Sequence, residues 1–331
     1  MLSIGSWFRR HQAPVLGIDV SPGAIRIMEL VREGKGLRVA HVAQESLPPG
    51  ALRDGGFAQM DLLTESLRRG LKSSGTRLRT AAMALPSGAI IKKMLTLPES
   101  LYEEELEMQV ETEASQALPF PIDEISLDFA IVGPSSTNDG YVDVMLVAAR
   151  KERIDERITL AEAAGLRPLV IDLESQVTTA ALTLVESQAR LDRNQPVALL
   201  QLGSEGSHCA VMLNDLVIFE RDLGLSLPRS DQEKSRAAVE SLKESLCQEL
   251  MRALQLFATS TPYAGVARVY IAGSTQMMGA DLASFVHRRV GMEVSLPDPF
   301  AGMHLPPADI HLHENSPAWL VACGLALRSF T

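Results

Sequence analysis

Two short runs of this chain carry the residue types that grip a metal-bound phosphate. Residues 15–30 read Val-Leu-Gly-Ile-Asp-Val-Ser-Pro-Gly-Ala-Ile-Arg-Ile-Met-Glu-Leu. That is an apolar strand, an acid at its end, a small-residue turn and a second strand. Mg²⁺ takes oxygen ligands, commonly one or two carboxylates plus phosphate oxygens, and Asp19 offers a carboxylate, directly or through water. Ser21 offers a hydroxyl and Gly23 a backbone N–H to a phosphate. Arg26 adds a planar charged fork. A plain β-hairpin with a small-residue turn accounts for the same residues equally well. A weaker echo at 197–213 reads Val-Ala-Leu-Leu-Gln-Leu-Gly-Ser-Glu-Gly-Ser-His-Cys-Ala-Val-Met-Leu. It places Gln201 where the first run has Asp19, and Gly203 in its turn. Two such hairpins, one per half, point to a duplicated domain with a cleft between the halves. One hairpin keeps its acid and the other does not.

The elements that must position these hairpins follow from hydrophobic periodicity. Strands are expected near 15–20, 24–31 and 37–46, where Pro48-Pro49-Gly50 stops the run. Met60, Leu63, Leu67 and Leu71 make one face of a helix over 58–73. Strand Thr80–Leu85 follows. A strand at 89–97 then leads to a helix from Leu101, with Ser100 and Glu103 as a capping box. Tyr102, Leu106, Val110 and Ala114 form its buried stripe, and Glu104, Glu105, Glu107 and Glu111 a solvated acidic face. Strands near 125–132 and 141–149 and a helix at 151–164, closed by Gly165, complete an α+β insert. Strand 167–173 and helix 174–189 return to the main body. The second half repeats the opening order: strands 197–202, 207–213 and 216–221, helix 231–259, strand 267–272, helix 279–289 and strand 292–296. Repeated order supports duplication more than residue identity does. Ser316–Ser329 reads as a last helix, apolar all round from Ala318 to Leu327 and therefore buried between layers.

Five stretches carry a resemblance to a known family: Leu16–Ser21 through Arg26, Leu118-Pro-Phe-Pro-Ile-Asp-Glu-Ile-Ser-Leu-Asp-Phe129, Val142–Glu152, Val170-Ile-Asp-Leu-Glu174 and Ala322–Phe330. The chain resembles the actin-like fold, and within it the PilM family of type IV pilus assembly proteins, relatives of the division protein FtsA. The resemblance implies a duplicated actin-like (ribonuclease H-like) α/β fold with an inserted α+β subdomain. Its parts would be a first subdomain over 1–85, completed by 166–192 and 315–331, an insert over 86–165, and a shortened second half over 193–314. It further implies ATP and magnesium between the halves. Asp19 would hold the metal, with Ser21, Gly23, Arg26, Gln201, Gly203, Gly273 and Ser274 around the nucleotide. The implied partner is the cytoplasmic N-terminal peptide of a PilN-like protein, lying in a groove between the first subdomain and the insert. Pro86, Ile90, Ile91 and Met94 are the residues expected there. The complex would link the membrane platform to cytoplasmic motor proteins, with homo-oligomers as a further option.

The chain departs from the family pattern in ways that weaken the nucleotide site. Gln201 replaces an acid, so a charged metal ligand is lost, and Glu205 puts a carboxylate where a small turn residue is expected. Arg26 stands in place of the usual Lys. Ala272-Gly273-Ser274-Thr275 keeps one of two paired glycines, at a turn that can hold an anion at the start of helix 279–289. Only Leu223–Lys234 separate the third strand of the second half from its long helix, which leaves the adenine pocket shallow. The expectation is a scaffold with weak or absent nucleotide binding and no meaningful hydrolysis. An active ATPase in which Gln201 orients water, and an FtsA-like division protein, are the alternatives.

Composition narrows the partners. With 46% apolar and 22% charged residues and a net charge of −10, attraction to nucleic acid or anionic lipid is not expected. Three scattered cysteines, Cys209, Cys247 and Cys323, provide no disulfide framework or zinc site and fit a reducing cytoplasm. His311-x-His313 lies among prolines with no third ligand in view. No run reaches the roughly 20 apolar residues that span a bilayer, so membrane association is expected only through a partner.

Overall fold

The computed structural model describes residues 13–330 apart from 136–137, 190–193, 205, 215, 229–234 and 306. Glu205 and the start expected for helix 231–259 therefore lie outside the described residues. The first lobe opens with β1 (Leu16–Ser21), β2 (Ala24–Glu33) and β3 (Gly36–Ser46). A small hairpin, β4 (Leu52–Arg53) and β5 (Gly56–Phe57), then α1 (Met60–Ser74) and β6 (Thr80–Leu85) follow. The insert holds β7 (Ile90–Pro98), α2 (Glu103–Ala117), β8 (Ile125–Pro134) and β9 (Tyr141–Arg150). The chain returns through α3 (Lys151–Ala163), β10 (Arg167–Leu173) and α4 (Glu174–Gln188). The second lobe comprises β11 (Val197–Leu202), β12 (Ser207–Leu213), β13 (Leu216–Leu223), α5 (Arg236–Ser260), β14 (Arg268–Gly273), α6 (Leu282–Val290) and β15 (Glu293–Ser295). The last helix is α7 (Leu320–Ala326).

Duplication is visible in the sheets. The first is ordered β10-β6-β1-β2-β3 and the second β15-β14-β11-β12-β13. In each, the hairpin strand pairs antiparallel with its successor and parallel with the strand on its other side. Parallel neighbours need a long crossover, which the intervening helices supply. α7 is packed into the first lobe at close range. A Cβ on Gly17 of β1 would lie 2.1 Å from the Ala322 carbonyl, and one on Gly324 would lie 1.9 Å from the Val177 carbonyl of α4. Both glycines are required by backbone approach. Every residue of α7 is buried. With Trp319 and Phe300 it joins Met28 and Val39 of one sheet to Val197, Leu199 and Tyr270 of the other in a single core.

The insert is a three-stranded sheet, β7-β9-β8. Leu106, Val110 and Ala114 of α2 pack on Leu95, Leu97, Val144 and Leu146. α3 instead places Leu160 and Ala161 among Leu16, Ile18, Leu63 and Met83 of the first lobe.

Several expectations are corrected. α2 starts two residues later than expected. The reciprocal bond runs from the Tyr102 N–H to Glu105 at 3.0 Å, not between Ser100 and Glu103, and Tyr102 is 79% exposed rather than part of the buried stripe. Glutamates 103–105 then occupy the first turn, where the helix dipole favours them. The last helix is broken: a 3₁₀ stretch runs through Trp319 and contains Pro317, and only Leu320–Ala326 is α-helical. Pro317 has no N–H to donate. α6 starts at Leu282 because a 3₁₀ turn at Gln276–Met278 intervenes. The β4–β5 hairpin was not expected. It turns on Asp54 and Gly55, with φ of +51° and +72°, an Asp-Gly turn of the type that suits two-residue hairpins.

Candidate functional site

The first hairpin closes on itself. Asp19 and Arg26 face each other across β1 and β2. Arg26 Nη1 lies 3.2 Å from Asp19 Oδ2 and 2.9 Å from Ser21 Oγ. Ser21 Oγ donates to Asp19 Oδ2 at 3.2 Å, and Arg26 Nε donates to Gln44 Oε1 at 3.1 Å. The guanidinium also sits 6.0 Å from the Trp319 ring centre. Asp19 and Arg26 are each only 7% exposed. Burial drives the Asp19 pKa up, against the opposing pull of the Arg26 charge and of hydrogen bonds from Ser21 and Arg26. The fork expected to reach a phosphate is thus held by its own hairpin. Gly23 has φ +94° at an open turn, and its carbonyl accepts the Leu47 N–H at 2.9 Å.

The second hairpin is tied outward. Gln201 faces His208 across β11 and β12, at the same seven-residue spacing as Asp19 and Arg26. Gln201 Nε2 donates to Glu174 Oε1 at 2.7 Å. Gln201 Oε1 is buried with no hydrogen-bond partner. Glu174 is the first residue of α4, where β10 delivers it to the junction. Burial, and next the charge of Asp19, raise its pKa to about 7, with Gln201, His208 and Arg157 opposing. One face of the junction therefore holds Asp19, Glu174 and Gln201. These are oxygen donors of the kind a hydrated Mg²⁺ uses, with one formal acid fewer than two acidic hairpins would provide.

His208 Nδ1 lies 3.3 Å from Asp222 Oδ1, and its Nε2 lies 3.7 Å from Glu220 Oε1. Burial by itself would lower the His208 pKa, but these two carboxylates overcome it and carry it up to about 9. Lys92 of the insert reaches the same cluster, donating to Glu220 Oε2 and, at 3.0 Å, to Ser175 Oγ. His208 and Lys92 in turn outweigh burial at Glu220 and hold its pKa down to about 2.

The turn residues of the second lobe are engaged with backbone. Gly203 N–H is 3.4 Å from Ser207 Oγ, and its carbonyl accepts the Leu227 N–H at 2.9 Å. Gly273 has φ +88°, and a Cβ there would lie 2.2 Å from the Leu202 carbonyl. The Ser274 N–H donates to that same carbonyl at 3.2 Å. The expected anion seat at the following helix is corrected: the turn does not feed α6 directly. Asp281 precedes that helix and takes a 2.8 Å bond from the buried Lys243, so an acid stands where a phosphate was expected.

The four residues expected to hold a partner do not form one wall. Pro86 packs near the β4–β5 turn, 3.4 Å from where a Gly55 Cβ would lie. Ile91 joins the insert core, Ile90 is half-buried, and Met94 is 48% exposed. Arg157 buttresses the Pro86 side. Its guanidinium donates to the Gly55 carbonyl at 2.9 Å and stacks 4.4 Å from the Phe57 ring centre.

Glu174, His208, Glu220 and Lys92 were not singled out from sequence. Glu174 had one local signal, an acid at a strand-to-helix junction inside Val170–Glu174. The other three have none: His208 and Glu220 meet through the pairing of β12 with β13, and Lys92 joins them only when the insert packs against the second lobe. Elsewhere, His313 Nδ1 pairs with Asp298 Oδ2 at 2.6 Å. No helix of the described residues is long and apolar enough to cross a membrane.

Comparison with known proteins assigns the chain. A solved chain described as the PilM-PilN type IV pilus biogenesis complex is 26% identical. The match covers 98% of this chain and 100% of that one, with a TM-score of 0.81. The ethanolamine utilization protein EutJ from Carboxydothermus hydrogenoformans is 13% identical over 95% of this chain and 89% of its own, with a TM-score of 0.51. A diol dehydratase-reactivating factor in nucleotide-free form is 9% identical over 95% of this chain and 99% of its own, with a TM-score of 0.54. The last two share the fold alone, and the matched sheets make it the duplicated actin-like fold. The family model for type IV pilus assembly protein PilM matches residues 17–226 and 225–330, and the chain therefore belongs to the PilM family of type IV pilus assembly proteins.

Proposed function

We propose that this protein is a cytoplasmic adaptor of the type IV pilus inner-membrane platform. It binds the N-terminal cytoplasmic segment of a PilN-like protein and retains a nucleotide site too weakened for turnover. The observation that carries the partner is the full-length match, at 26% identity, to a PilM chain solved as a PilM-PilN complex. The seam between the first lobe and the insert, around Pro86, Ile90, Met94 and the β4–β5 turn, is the groove assigned to that peptide. Membrane attachment and the link to motor proteins run through the partner.

The weakened nucleotide site rests on the junction chemistry. Arg26 is neutralised by Asp19 before any phosphate arrives, Gln201 has replaced an acid, and Asp281 occupies the start of α6, the helix that follows the Gly273 turn. Asp19, Ser21, Gly23, Gln201, Gly203, Gly273 and Ser274 would still surround a bound ATP, with Asp19 toward its magnesium. The chemistry such a nucleotide would supply is phosphate charge at the lobe junction, which the Arg26 fork would have to leave Asp19 to meet.

One observation favours a second reading, an ATP-hydrolysing switch. Glu174 has its pKa raised to about 7 beside Asp19, which suits a general base at neutral pH. Titration of a PilN-type N-terminal peptide into the full chain, with and without Mg-ATP, together with a phosphate-release assay, separates the readings. Peptide binding with no phosphate release supports the adaptor. Steady phosphate release that Glu174→Gln abolishes supports the switch. No peptide binding under either condition rejects the partner assignment.

A further inference from the structure

The insert carries the proposed partner residues, yet one of its side chains is committed to the far lobe. Lys92 lies on β7 between Ile91 and Met94, and β7 is an edge strand of the insert sheet. Its ammonium bonds Glu220 of β13, an edge strand of the second-lobe sheet, and Ser175 of α4. Lys92 and Glu220 side chains are only 21% and 19% exposed, so the pair is shielded more than a surface salt bridge. Lys93, the next residue, is exposed and makes no such crossing among the described contacts. The route continues inward. Ser175 follows Glu174, which accepts from Gln201 and feels the Asp19 charge. The first two residues of α4 thus touch the phosphate hairpins on one side and the partner-bearing strand on the other.

We propose that Lys92 is a latch. It fastens the edge of the insert to the second lobe and sets how freely the proposed partner strand opens according to the arrangement of the lobe junction. This rests on the adaptor reading for the identity of the partner but not for the latch itself. A second feature fits a device with two positions. Glu220 Oε1 and His208 Nε2 are buried without hydrogen-bond partners, while lying 3.7 Å apart. They hold unused bonding capacity that release of Lys92 frees them to satisfy with each other. Loss of this pair alone then leaves the insert and the second lobe folded but unfastened at this edge, with the core between the two lobes intact.

Amide hydrogen exchange on the full chain without any partner tests the latch directly. Lys92→Met and Glu220→Gln are expected to speed exchange of β7 and β13 amides about tenfold, with the double variant no faster than either single one. Lys93→Met serves as the control and leaves the rates unchanged. Unchanged exchange in both Lys92→Met and Glu220→Gln, or additive effects in the double variant, overturns the proposal. Titration of the PilN-type peptide into the same variants provides the coupling readout, with an affinity change of several-fold expected. If wild-type protein fails to bind that peptide while the exchange pattern holds, the partner assignment falls and the latch stands.

Discussion

The two hairpins hold equivalent places in their sheets and handle charge in different ways. In the first, acid and base face each other within the hairpin, and Ser21, Gln44 and Trp319 complete the enclosure. In the second, the facing residues are an amide and an imidazole, and each turns to a group outside the pair: Gln201 to Glu174 of α4, His208 to Asp222 and Glu220 of the next strand, β13. A buried charge needs a partner, and where that partner resides decides what the hairpin does. An internal partner makes the first hairpin self-sufficient. The Gln201–Glu174 bond makes the second a joint between lobes, while His208 is held within its own sheet.

The sharpest way to break this comparison is to remove the base from each hairpin. Arg26→Ala strands a buried carboxylate, and a cost of about 3–5 kcal/mol is expected. His208→Ala is expected to cost about 1 kcal/mol, since its carboxylate neighbours keep Lys92 or solvent. Denaturant unfolding measures both, and equal costs would deny the difference. The turns come next. Gly273→Ala drives a Cβ into the Leu202 carbonyl and is expected to cost about 3 kcal/mol. Gly23→Ala meets open space and is expected to cost only the roughly 1 kcal/mol of its backbone conformation.

The third test is pH. Burial and the Asp19 charge raise Glu174 from 4.5 to about 7 in the folded protein, so folding favours its protonated form. Its contribution is harmless below about pH 4.5, turns unfavourable as pH rises through the window to about 7, and is constant above it. Glu174→Gln is thus expected to match wild type near pH 4 and exceed it by about 3 kcal/mol at pH 8. Asp128, raised to about 7 chiefly by burial, titrates in both proteins and cancels. A pH-independent difference would show that Glu174 is not held as the geometry implies. The last variant is Gln201→Asp. A third carboxylate beside Asp19 and Glu174 should lower stability by about 1 kcal/mol in chelator. Added Mg²⁺ should restore it, read as a shift in thermal midpoint. Lack of any Mg²⁺ response would show that the junction does not accept a cation even with a carboxylate at 201.

Local pattern carried most of the architecture. The apolar strand, turn and strand of β1 and β2, the Leu106–Val110–Ala114 stripe and the repeated strand order needed only neighbours along the chain. The all-apolar run at 318–327 announced its burial because no amphipathic face was left to meet water. The hairpin acids were legible for the same reason, since strand, turn and strand are contiguous.

What sequence could not decide is which charges meet across the junction. Arg26 looked available to phosphate because its type permits that. Only the pairing of β1 with β2, with Trp319 over the guanidinium, showed it spent on Asp19. His208 and Glu220 meet through the pairing of β12 with β13, whereas Glu174 and Lys92 reach that junction only by long-range packing. Chain-local chemistry fixes which residues can ionise and which strands form. The tertiary structure fixes desolvation and partner, and those two quantities set every charge at this site.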